Sequence, residues 1–139
     1  MNVNRTFLRV RYAETDQMGV VYYGNYAQYF EVGRTEALRA AGSSYRQLEA
    51  EGIMLPVKRL EINYRAPALY DDELCIETWV EQIPTARIVF HHRITNEKNQ
   101  VLITGSVELV FVDRETRRPR RCPEHLSALI KANFGLRES

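Results

Sequence analysis

The stretch Tyr12-Ala13-Glu14-Thr15-Asp16-Gln17-Met18-Gly19-Val20-Val21-Tyr22-Tyr23-Gly24-Asn25-Tyr26 sets an acidic loop immediately before an aromatic-rich helical pattern. Three features of it bear on chemistry. Asp16 stands beside apolar Met18, Val20 and Val21, where loss of water would strengthen a carboxylate as a base. Gly19 and Gly24 permit sharp backbone geometry and close approach of a ligand. The helix start presents unpaired N–H groups and the positive end of a dipole, which suit the oxygen of a polarised carbonyl. A base or nucleophile on one side of a carbonyl and an oxyanion site on the other are what acyl transfer from a thioester requires. The same residue types also describe an Asp that merely caps a turn. Spacing alone leaves both roles open for Asp16.

The elements that must position this loop can be read from periodicity. Thr6 to Tyr12 alternates as a half-buried strand, and the loop then runs from Ala13 to about Gly24. Tyr26, Tyr29, Phe30, Gly33, Ala37 and Ala40 recur at helical spacing, which predicts a helix over 25–41 with Asn25 as N-cap and Gly42 as its stop. A shorter helix is expected over 44–51, capped by Ser43 or Ser44. From Gly52 the period changes to that of strands. Leu60, Ile62 and Tyr64 alternate up to Pro67, and Leu74 to Val80 follow the turn Asp71-Asp72-Glu73. Ile88–Ile94 and Val101–Val112 flank the turn Asn96-Glu97-Lys98-Asn99, and a last helix runs over 123–134 with Pro123 near its first turn. Strand, long helix, four strands and a closing helix make one α+β domain over 1–139 rather than a doubly wound parallel sheet. The long helix lacks a clearly polar half, so it is expected to be wrapped by the sheet.

Composition narrows the class. The 139 residues are 45% hydrophobic and 27% charged with a net charge of +1, which gives no global basic field for nucleic acid and no acidic excess for disorder. The two cysteines, Cys75 and Cys122, stand in no metal or redox spacing. No stretch reads as a signal peptide, and none approaches the ~20 apolar residues of a membrane helix. A cytoplasmic protein without a membrane span is expected.

Glu14-Thr15-Asp16-x-x-Gly19-x-Val21-Tyr22-Tyr23-x-Asn25-Tyr26, followed by Phe30-Glu31 and Arg34-x-Glu36, closely resembles the 4-hydroxybenzoyl-CoA thioesterase family of hotdog proteins. It is most similar to the branch containing the tol-pal-associated acyl-CoA thioesterases. The likeness continues through Ile62-Asn63-Tyr64-Arg65-x-Pro67 and Asp72-Glu73-Leu74. The resemblance implies a hotdog fold, five antiparallel strands around one long central helix, and hydrolysis of an acyl-CoA thioester to free acid and CoA. It implies that Asp16 acts as nucleophile or general base and that the backbone N–H of Tyr23 polarises the carbonyl. In the tol-pal-associated branch His usually stands where this chain has Tyr23. A phenol takes up no proton near neutral pH as imidazole does, so the amide carries over and an acid–base side chain does not. The family's site forms between two subunits, which implies a homodimer or homotetramer. CoA is then part of the substrate, and no cofactor or metal is needed.

Gly19, Val21, Tyr22, Asn25 and Tyr26 are the expected substrate contacts in the loop, although Asn25 can equally only cap the helix and the tyrosines can equally only pack the core. Lys58, Arg59, Arg65, Arg87 and Arg93 lie on or beside strands, and we take Arg65 and Arg87 as the candidates for the CoA phosphates. Arg117-Arg118-Pro119-Arg120-Arg121 reads best as cover for a turn. Glu31 is expected to pair with Arg34. His91 and His92 are adjacent on a strand and must point to opposite faces, so they form no local metal pair. Two alternatives remain: a hotdog dehydratase acting on hydroxyacyl thioesters, which would place a His in this loop, and an acyl-CoA-binding or scaffold protein without turnover. The loop has no His, which speaks against the dehydratase, and Asp16 together with Gly19 and Asn25 speaks against the scaffold.

Overall fold

A computed structural model describes residues 2–138. Strand β1 (Asn4–Arg9) leads through the loop into helix α1 (Tyr26–Ala40), followed by α2 (Tyr45–Ala50) and the short strand β2 (Ile53–Met54). Strands β3 (Val57–Tyr64), β4 (Glu73–Trp79), β5 (Arg87–Thr95), β6 (Val101–Val110) and β7 (Val112–Asp113) come next, and α3 (Glu124–Phe134) closes the chain. Five of the strands form one antiparallel sheet in the order β1-β4-β5-β6-β3, while β2 and β7 pair separately. This is the expected α+β, five-stranded layout with one long helix. The β2–β7 ribbon is an addition to it.

Local signals set the helix ends. After α1 the Ser43 amide reaches back to the Leu38 carbonyl and the Gly42 amide to that of Arg39, the paired bonds by which a glycine stop satisfies terminal carbonyls. Ser44 then caps α2 by accepting from the Gln47 amide at 3.0 Å. At the other end of α1 the expectation fails: Asn25 occupies the cap position, but its side chain makes no capping bond.

The sheet buries alternate residues against α1. Leu74, Ile76, Phe90, Ile94, Ile103 and Val107 meet Tyr26, Phe30, Ala37 and Leu38 of the helix, all nearly inaccessible. Each such side chain contributes roughly 1.5–3 kcal/mol by leaving water. The sheet covers the helix along one face. Tyr26, Tyr29, Phe30, Gly33, Arg34, Ala37 and Leu38 form one buried stripe, and Gln28, Glu31, Val32 and Arg39 face outward. Tyr22 and Tyr23, which made the pattern look apolar all round, lie on the surface ahead of the helix.

At Gly105 of β6, both β3 and the Phe30 ring of α1 approach closely. A Cβ there would run into the Glu61 carbonyl of β3 and the ring of Phe30. Overpacking against backbone has little room to relax, so Gly105→Ala is expected to cost about 3 kcal/mol. A thermal melt would then show Tm lower by roughly 10 °C. An unchanged Tm would mean that β3 does not lie against β6 in this register.

Candidate active site

Asp16 sits at the tip of a tight reversal. Its carbonyl accepts from the Gly19 amide at 3.1 Å and its amide donates to the Val20 carbonyl at 2.8 Å. Gly19 takes a left-handed φ of 78°, which closes the turn at the point where other residues would be strained. Inside this turn one carboxylate oxygen, Oδ1, accepts from the amides of Met18 at 2.8 Å and Val20 at 3.4 Å. Oδ2 has no hydrogen-bond partner among the described residues. Asp16 therefore caps its own turn with one oxygen and leaves the other available.

The head of α1 is prepared by a single 3-10 turn, Tyr23–Asn25. The Tyr22 amide donates to the Glu14 carbonyl at 2.9 Å and the Asn25 amide to the Tyr22 carbonyl at 2.9 Å. The Tyr23 amide between them has no acceptor among the described residues. It is the unpaired donor expected at a helix start.

Asp16 and Tyr23 line one cleft of about 320 Å³ together with Val20, Val21, Tyr26, Tyr64, Arg65, Ala66 and Pro67. Tyr26 accepts through its hydroxyl from the Ala68 amide at 3.1 Å, and burial raises its phenol above the usual range. The Val21 amide holds the Ala68 carbonyl at 2.9 Å, so loop and helix grip the segment after β3 from both sides. Tyr64, at the end of β3, packs edge-on against Tyr26 with ring centres 5.7 Å apart and donates to the Tyr23 carbonyl at 3.3 Å. The result is a mouth with aromatic walls, one carboxylate and one guanidinium. Arg65 has no ion-pair partner among the described residues.

The structure sorts the expected site residues. It brings together Asp16, Tyr23, Val21, Tyr26 and Arg65. Gly19 shapes the turn and does not line the cleft. Tyr22 lies outside it, its ring tilted by 41° against that of Tyr23 with centres 4.7 Å apart. Asn25 neither caps α1 nor faces the cleft, because its side-chain amide is spent on the Glu14 carbonyl at 2.8 Å. Arg87 is not near Asp16: it sits beside Val110 at the opposite end of β3 from Arg65, paired with Glu108 at 3.0 Å, in a separate depression with Glu81, Gln82 and His91. The structure does not show the apolar screen expected around the carboxylate. Met18 is 82% exposed and Asp16 itself is exposed.

Tyr64, Ala66 and Pro67 belong to the cleft and were missed as site residues, although the run Ile62 to Pro67 lay in the quoted pattern. Among the remaining candidates, Glu31 faces Arg34 at 3.8 Å and Glu36 pairs with Arg39. His92 points inward onto Phe30 and His91 outward onto Trp79, as their adjacency requires. Among the described residues no three His, Cys, Asp or Glu side chains are grouped to hold a metal, and no helix is long and apolar enough to cross a membrane.

Comparison with known proteins agrees with this layout. The sequence matches the thioesterase-like superfamily over residues 10–130. It is 37% identical over 124 residues to the acyl-CoA thioester hydrolase YbgC of Escherichia coli O6:H1, covering 89% of this chain and 92% of that one. It is 34% identical over 123 residues to the acyl-CoA thioesterase YbgC of Haemophilus influenzae, covering 87% and 89%. Among solved structures, the DHNA-CoA thioesterase from Staphylococcus aureus superposes with a TM-score of 0.84 at 41% identity, covering 87% of this chain and 81% of that one.

Proposed function

The chain belongs to the thioesterase-like superfamily, and from that premise we propose that it hydrolyses acyl-CoA thioesters to the free acid and CoA, with Asp16 as the reacting carboxylate. The observation that carries the proposal is the one cleft lined by both Asp16 and Tyr23, the latter with an amide that has no acceptor among the described residues. Asp16 Oδ2 attacks the thioester carbon, or removes a proton from the water that does. The Tyr23 N–H receives the negative charge that develops on the carbonyl oxygen. Collapse of that intermediate breaks the C–S bond and releases CoA thiolate. On the covalent route water then cleaves the acyl–Asp16 anhydride. Both routes need only water as the second reactant, with no cofactor or metal. Tyr23, Tyr26 and Tyr64 wall the acyl group, and Arg65 supplies the one free cation of the cleft to the CoA phosphates.

The test is a panel of aromatic, short-chain and long-chain acyl-CoAs with a thiol indicator. One free thiol should appear per acid formed, with kcat/KM of about 10⁴ M⁻¹s⁻¹ or more for the preferred substrate. Binding without thiol release would sink the proposal in favour of a scaffold, and an enoyl product would favour a dehydratase. The two free cysteines and CoA as substrate suit a cytoplasmic setting.

A second copy of the chain completes the site. Strand β3 is an edge of the sheet, and its Val57, Leu60 and Tyr64 are 45–53% exposed beside backbone groups left open. Pairing β3 with its own copy in antiparallel fashion covers that edge and brings the Val57 end of one chain to the Tyr64 end of the other. Leu60→Arg should shift sedimentation from dimer or tetramer to monomer and lower turnover with it. An unchanged sedimentation coefficient would place the interface elsewhere.

A further inference from the structure

Two residues before Asp16, Glu14 ends a 3-10 turn with its side chain only 15% exposed. A carboxylate so far removed from water must be supplied with donors. One oxygen, Oε1, accepts from the Arg11 amide at 2.8 Å and from the Tyr29 hydroxyl at 3.1 Å. The other faces the Arg11 guanidinium at 3.5 Å. Burial and the facing Glu14 carboxylate hold the Tyr29 phenol well above its usual range, so it stays a proton donor to that carboxylate at any ordinary pH. The main chain of the same residue is equally engaged. Its carbonyl accepts from the Tyr22 amide at 2.9 Å and from the Asn25 side-chain amide at 2.8 Å.

These bonds reach either the start of the loop, through Arg11, or the head of α1, through Tyr22 and Asn25 just before the helix and Tyr29 in its first turn. They span the two pieces that carry the proposed chemistry. Asp16 follows Glu14 by two residues, and the Tyr23 amide follows Tyr22 by one. We propose that Glu14 is the positioning residue that fixes the Asp16 carboxylate relative to the Tyr23 amide. This rests on Asp16 being the reacting carboxylate. Glu14 touches no reacting atom: it sets the gap across which the thioester carbonyl must fit. A misplacement of about 1 Å at such a gap costs roughly 10²-fold in rate.

The experiment measures kcat, KM and Tm for Glu14→Ala, Glu14→Gln and Tyr29→Phe, alone and with Asp16→Asn, at a temperature where each variant is folded. The probe is benzoyl-CoA or decanoyl-CoA, whichever the wild-type protein turns over. Glu14→Ala should lower kcat roughly 10–100-fold with KM within about threefold. Glu14→Gln keeps an acceptor for the Arg11 amide and the Tyr29 hydroxyl and should recover most of that loss. In the Asp16→Asn background Glu14→Ala should remove nothing further from the residual rate, because its effect passes through Asp16. A folded Glu14→Ala protein with wild-type kcat overturns the proposal, and so does an equal loss in both backgrounds. If Glu14→Ala does not fold, Tyr29→Phe decides: it deletes one donor, and a kcat reduced roughly 3–10-fold supports the proposal while an unchanged kcat overturns it. An inactive Asp16→Asn beside a fully active Glu14→Ala defeats this inference and leaves the reading of Asp16 standing. A fully active Asp16→Asn defeats both.

Discussion

Asp16→Asn is expected to lower kcat by about 10³-fold or more, equivalent to roughly 4 kcal/mol of lost transition-state stabilisation, while the fold is unchanged. The asparagine is the informative replacement because of how the carboxylate is held. Oδ1 accepts from the Met18 and Val20 amides, and an asparagine carbonyl can take over both bonds and keep the turn closed. Its amide nitrogen then stands where Oδ2 stood and can neither attack a carbonyl nor accept a proton from water. Alanine would also release the turn and mix two effects. KM should stay within about threefold, because the aromatic walls and Arg65 remain. Turnover within about tenfold of wild type would remove Asp16 from the chemistry. Single turnover in oxygen-18 water identifies the covalent route when water opens the anhydride at the Asp16 carboxyl carbon: label recovered in Asp16 then requires the covalent intermediate.

That same turn explains why two readings of Asp16 could not be separated from its sequence. Turn-capping Asp and reactive Asp were posed as alternatives, yet the turn occupies only one oxygen, Oδ1, and leaves Oδ2 without a partner among the described residues, so the two roles do not compete. The Asp-x-x-Gly spacing was sufficient to fix the turn, since a carbonyl three residues before a left-handed glycine is a local matter. The glycine and serine that separate α1 from α2 were equally local and equally legible. Asn25 was not. Its partner is a carbonyl eleven residues earlier, on a loop whose path periodicity does not describe. That the two candidates Arg65 and Arg87 lie far apart was hidden for a related reason. Both flank strands and look alike in sequence, but the order β5-β6-β3 sends one to the cleft end of β3 and the other to the far end. Tyr64 joins the site only because β3 lies beside the head of α1, a consequence of tertiary packing rather than of neighbouring residues.

The wild-type protein should lose stability on mild acidification, and His92→Asn should lose much less. His92 is 1% exposed, stacked on Phe30 at 4.4 Å, with Nδ1 against the Thr78 hydroxyl at 3.0 Å and Nε2 without a partner among the described residues. Burial first, then the positive charge of Arg34 and the neighbouring His91, lowers its pKa from 6.5 to about 3. The native state therefore holds this ring neutral, while the unfolded chain protonates it near 6.5. Fewer protons are bound in the native state, so unfolding becomes easier as pH falls below 6.5, by about 1.4 kcal/mol per pH unit. The loss continues toward pH 3 and there reaches the order of 4 kcal/mol. Above pH 7 the group contributes no slope. Urea or thermal melts between pH 7.5 and 5 read the effect before most carboxylates titrate: wild type should lose about 2 kcal/mol from this group, or roughly 6 °C of Tm. Asparagine leaves a partner near the Nδ1 position for Thr78 and cannot titrate. Its cavity lowers stability by the same amount at every pH, so the slope and not the intercept is the readout. Parallel slopes for wild type and His92→Asn would mean that His92 is protonated in the folded protein, with a charge seated beside Arg34.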